Sequence, residues 1–214
     1  MDTNLRVFVA DHEPAPDTAA PDTAALDTAA PRAGAPAARP GNPPLPGWFV
    51  VPVAGAVCGL WAGAVWVSEH VRPDPALHEV ALFLHLAALV AGFGAVLVVD
   101  WIGVLWLLGR RTFADVTRTA GAVHVLIWAS IAALTASGAL LAPDMTSALT
   151  RVKLALVLVI ALNGLHAHAL QPRLAAYGSA RPPHALLARS AATALVSQAC
   201  WWAAMAIGFH NHQN

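Results

Sequence analysis

Five stretches of this chain stay apolar for about the thickness of a bilayer, and no motif constrains the fold as strongly. A membrane-spanning helix needs about 20 consecutive apolar residues. Lipid tolerates only helices or closed barrels, because backbone amides there must be satisfied internally. The most informative stretch is Thr150 to Arg173. Arg151 and Lys153 open it, Leu154 to Leu162 follow without a polar residue, and Asn163, His166 and His168 sit near the far end. The others run from about Gly47 to Val67, Val80 to Leu108, Thr119 to Leu141 and Ser190 to Phe209. The expected fold is all-α: a polytopic membrane helix bundle of five transmembrane helices over residues 47–214, with the lipid bilayer as its surroundings. Only 11% of the residues are charged, against roughly 25% in a soluble domain.

The remaining segments are read from composition. DTAAP, DTAAL and DTAAP recur between Asp17 and Pro31. Such a repeat has almost no large apolar side chains to pack, so residues 1–46 are expected to form a disordered tail. Ser68 to Glu79, with Pro73 and Pro75, reads as a polar connection. The second span is long. Its roughly 29 residues would reach about 43 Å, so it must tilt, kink near Gly92 and Gly94, or protrude from a hydrocarbon core of about 30 Å. Gly55, Gly59 and Gly63 form a small-residue strip that admits another helix, within the chain or in a homodimer. Cys58 and Cys200 lie in apolar spans and read as thiols packed as small apolar groups rather than as a disulfide. The formal net charge is zero and no basic patch stands out, so no nucleic-acid partner is expected. Without a nucleophile–base pair or a phosphate loop, neither is enzymatic activity.

Arginine placement gives an orientation. Arg110, Arg111 and Arg118 lie between spans two and three, and Arg173, Arg181 and Arg189 between four and five. The opposite side has only Arg72, Arg151 and Lys153. By the positive-inside rule the N-terminus is cytoplasmic and the C-terminus outside.

Polar residues within the spans carry the functional reading. His124 is about 9 Å along the helix from Arg118, His166 about 10 Å from Arg173, and Asp100 about 15 Å from Arg110. Three ionisable groups on three helices thus fall at similar depth, where such groups usually face the bundle interior and a partner. Asn163 is one turn from His166 on the same face. His168 is about 200° around the helix from His166, so His166, supported by Asn163, is the expected partner of His124 and Asp100 in a proton or metal site. The alternatives are an Asp–His pair that pins helices, or Asp100 at the interface beside Trp101. A second group faces outward: His78 and His85 on one face of span two, Met145, Met205, His210 and His212. Imidazole and thioether ligands suit copper, especially Cu(I). Lys153 can snorkel or pair with Asp144. Gln198, midway in span five, is expected to hydrogen-bond another helix, and Trp201 and Trp202 to anchor at the interface.

The third and fourth spans, VHVLIWASIAALTASGALLAP and LTRVKLALVLVIALNGLHAHALQPRL, resemble the copper-resistance protein D family of bacterial membrane proteins. FLHLAALVAGFGAVL is similar to that family's LHLLAA-type helix, with His85 at the matching histidine. The resemblance spans roughly Ala81 to Leu174. It implies copper handling at the bacterial cytoplasmic membrane, with His85 the most transferable position. The leading expectation is an integral membrane protein that binds or transports copper. Outer histidines and methionines would capture the ion, and Asp100, His124 and His166 would relay it inside. The second is a redox subunit holding haem b between axial His124 and His166. The third is a membrane scaffold whose histidines only join helices.

Overall fold

A computed structural model describes residues 50–213, so the expected tail at residues 1–46 and the first residues of span one lie outside it. The described residues form five helices and no strand: α1 (Val50–His70), α2 (Pro75–Leu107), α3 (Phe113–Leu140), α4 (Ala148–Ala175) and α5 (His184–Gln213). All five are long and apolar enough to cross a membrane. The chain is a multi-pass membrane protein.

Each helix overruns its apolar span, and local chemistry explains where it stops. α2 begins at Pro75, not at Val80, because the Asp74 side chain accepts a hydrogen bond from the Leu77 amide at 2.8 Å and a proline stands at the first helical position. The expected polar connection therefore shrinks to Val71–Asp74. α3 begins at Phe113 in a capping box: Thr112 Oγ1 accepts from the Asp115 amide at 3.2 Å, and Asp115 Oδ2 accepts from the Thr112 amide at 3.0 Å. Thr112→Ala is expected to cost about 1 kcal/mol, read as a lower midpoint of thermal unfolding in detergent. Between α3 and α4, Asp144 Oδ1 accepts from both the hydroxyl and the amide of Thr146. Those bonds, the hydroxyl first, hold the Asp144 carboxyl below its usual range. Asp144 thus closes its own turn instead of pairing with Lys153.

α2 packs most extensively on α3, and α4 on α5, so the bundle is two antiparallel hairpins with α1 lying across α3 and α4. The hairpins meet at a core of Phe93, Ile131, Ile160, Ala161, Cys200 and Trp201. At Gly92 α2 and α3 come close together. A Cβ on it would lie 2.6 Å from Ser130 Cβ, so Gly92 marks a close approach of two helices. Trp201 is only 3% exposed and stacks obliquely on Phe93, so it is a core residue and not an interface anchor. Trp202 faces outward. Cys58 and Cys200 are both free thiols, the first exposed and the second buried.

α1 is the outlier. Its buried residue is Ser68, and one long-range hydrogen bond, Trp61 Nε1 to the Leu154 carbonyl at 3.1 Å, ties it to α4. Cβ atoms on Gly55, Gly59 or Gly63 would meet nothing within 4 Å. The glycine strip therefore faces away from the other four helices.

Candidate functional site

Polar side chains within the bundle are paired between helices, but not in the combination expected. His124 on α3 stacks against His168 on α4, with ring centroids 4.5 Å apart and planes inclined by 19°. His166 is exposed. The reason lies in the face that α4 turns to α3. Gln171 reaches Gly121, where an added Cβ would sit 3.0 Å from its Nε2. One turn on, His168 meets His124. A further turn on, Gly164 lies under the Trp128 ring, at 3.5 Å from an added Cβ. Steps of three and then four residues along α3 are matched by equal steps back along α4, which is antiparallel packing in fixed register. That register selects His168 and turns His166 outward.

Asn163 follows a different face. Its Nδ2 donates to the Thr193 carbonyl of α5 at 2.9 Å, so it fixes the α4–α5 hairpin and does not support a histidine. Asp100 likewise looks to α5. Gln198 Nε2 donates to Asp100 Oδ2, and Trp202 Nε1 donates to Gln198 Oε1 at 3.0 Å. Gln198 thus bonds another helix as expected. Asp100, His124 and His166 do not converge, and the three-residue inner relay is replaced by two separate pairs.

The outward-facing residues are dispersed too. His78 and His210 are exposed, whereas Met205 packs against the core cluster, where its thioether acts as an apolar filler. His85 is half-buried between α2 and α3, with Nδ1 3.0 Å from Ser137 Oγ. The Ser137 hydroxyl donates its one proton to the Ala133 carbonyl at 2.6 Å. With that proton so placed, Nδ1 donates to Oγ, and the His85 ring also hydrogen-bonds the Leu134 backbone. Gly138 makes room: a Cβ there would come within 3.3 Å of His85 Cε1. Ser137, Gly138 and Thr193 complete these contacts. Short polar or small residues at such positions are common throughout the spans, so nothing in the sequence singled them out.

Among the described residues no group of three or more His, Cys, Asp or Glu side chains is arranged to hold a metal ion. Two ligand-type side chains on different helices that do meet are His124 and His168. Metal–nitrogen bonds of about 2 Å place ring centroids ~6 Å apart across a trans pair of axial imidazoles, and ~5 Å apart in a tetrahedral arrangement. At 4.5 Å and 19° the rings are stacked face to face, so their in-plane nitrogen lone pairs run side by side, and neither a small ion nor a haem iron fits between the ring faces. Imidazole donors suit copper, zinc, nickel and iron. No family model matches the chain, and neither a curated protein nor a solved structure matches it.

Proposed function

We propose that this protein binds copper within the bacterial cytoplasmic membrane, and that His124 and His168, turned out of their stack, are two of its ligands. One observation carries the reading: imidazoles from two neighbouring helices meet at 4.5 Å within the spans, close enough for ring rotation to bring a nitrogen of each to one ion. The resemblance of spans two to four to copper-resistance protein D supplies the identity of the metal. The end bearing Arg110, Arg111, Arg118 and Arg173 faces the cytoplasm in this reading.

The test is metal analysis of detergent-purified protein from copper-supplemented cells. Phenylalanine keeps the ring stack and removes the donor, so His124→Phe and His168→Phe are the informative variants. Near-stoichiometric copper is expected in the wild type and in His166→Ala, and its loss in both phenylalanine variants. Copper retained by the doubly substituted protein would overturn the placement, as would copper lost only with His85→Ala. A wild type that carries no copper would sink the function itself. The seat of His85 against Ser137 and Gly138 would then favour a second reading, in which imidazoles serve only to join helices.

A further inference from the structure

A groove of about 360 Å³ at the arginine-rich end of α2 is lined by Trp101, Leu105, Arg110 and Arg111. Its rim is built by the way the helix stops. The Gly109 amide donates to the Trp106 carbonyl at 2.9 Å and the Arg110 amide to the Leu105 carbonyl at 2.8 Å, with Gly109 at φ +71°. This is a Schellman closure. It ends the helix abruptly and sets two arginines side by side where the span leaves its apolar stretch. α3 starts at Phe113, so the connection is too short to fold back over them.

Neither arginine has a carboxylate partner among the described residues, where the ion pair is Arg118 with Asp115. Asp115 lies within electrostatic range of Arg111, but its oxygens are already engaged by the Thr112 amide and hydroxyl and by Arg118. The floor of the groove is apolar. Leu105 and Trp101 stand one turn apart on the same helix face, and Trp101 is 60% exposed. From Trp101 to the end of the helix at Leu107 is six residues, about 9 Å.

We propose that this groove binds an anionic phospholipid, with its phosphate on Arg110 and Arg111 and the head of an acyl chain along Leu105 and Trp101. A guanidinium presents a planar fork that matches phosphate oxygens, and two forks side by side can share one phosphodiester. Free phosphate has the same chemistry at the rim. A cavity that continues down an apolar wall is longer than that ion needs, and it matches a headgroup with its chain attached. Basic pockets at this level of a membrane protein are suited to such lipids.

The experiment uses the full chain in lipid nanodiscs, with brominated phosphatidylglycerol or brominated phosphatidylcholine diluted into unlabelled phosphatidylcholine. Bromine quenches nearby indoles, and the difference between wild type and Trp101→Phe isolates Trp101. Quenching of Trp101 by the anionic lipid is expected at a mole fraction roughly tenfold lower than by the zwitterionic one. The preference should vanish in Arg110→Gln/Arg111→Gln and survive in Arg173→Gln/Arg181→Gln, which removes the same charge elsewhere. Equal quenching by the two lipids in the wild type would overturn the site. So would a preference that persists without Arg110 and Arg111. Equal loss in both double variants would reduce it to general surface charge. Inorganic phosphate that binds in zwitterionic discs and displaces the anionic lipid would assign the rim to the free ion instead.

Discussion

Gly92→Ala is expected to destabilise the bundle by about 1–3 kcal/mol, the usual cost of forcing extra volume into a packed interior. The added Cβ would stand 2.6 Å from Ser130 Cβ and 3.5 Å from the Trp201 ring. Ser130 Cβ is bonded directly to its backbone, so no rotamer change can withdraw it. Trp201 is held in the core and has little room to yield. Relief must come from parting α2 and α3. Lipid tails are as apolar as the helix surfaces, so close packing is a main source of helix association in a bilayer. Loss of this contact therefore weakens the hairpin along its length. Gly94→Ala is the matched control, because a Cβ there meets nothing within 4 Å. It should be neutral or stabilising by up to about 1 kcal/mol through reduced backbone entropy. Combining Gly92→Ala with Ser130→Gly moves the small residue to the opposite helix and should restore most of the lost stability. Thermal unfolding of the four proteins in one detergent decides the matter. Equal midpoints for the two single alanine variants would mean that the helices do not meet at Gly92.

Gln198→Leu is expected to cost a further about 1–3 kcal/mol, because it strands a polar partner instead of merely removing a bond. Gln198 links Asp100 of α2 to Trp202 of α5. With leucine in its place the half-buried Asp100 carboxyl loses its donor, and lipid offers no substitute. Removing both ends is the gentler change: Asp100→Leu with Gln198→Leu leaves no carboxyl without its donor, and only the exposed Trp202 indole loses a partner. The double variant should be more stable than Gln198→Leu alone, and the non-additivity should appear in a double-mutant cycle of unfolding free energies. Strict additivity would show that the two side chains act independently.

The presence of five spanning helices could be read from the chain because apolar length is a one-dimensional property. Span ends were less legible. Asp74 and Thr112 extend α2 and α3 beyond their apolar stretches through caps made by polar residues, which hydropathy counts as loop. Pairing between helices was hardest. The spacing of Asn163 and His166 places them on one face but does not say which neighbour that face meets. Rotation of α4 is set by fit at Gly121 and Gly164, where Gln171 and Trp128 need the missing side-chain volume. Those glycines, Gly121 about a turn from His124 on α3 and Gly164 about a turn from His168 on α4, were the available signal for His168 over His166. Gln198 was easier to read, since a lone amide amid an apolar helix must find a donor or acceptor on another helix.

Among the described residues one hydrogen bond, Trp61 to Leu154, is the polar tie between α1 and α4, and it has a consequence for how the protein is made. Domains emerge from the ribosome N-terminus first, so α1 enters the bilayer ahead of every helix that will hold it. The later helices can pair with their immediate successors as they arrive. Trp61 must await a carbonyl 93 residues further on. Of the five helices, α1 thus precedes all those that pack on it, and its glycine ridge stays uncovered by them.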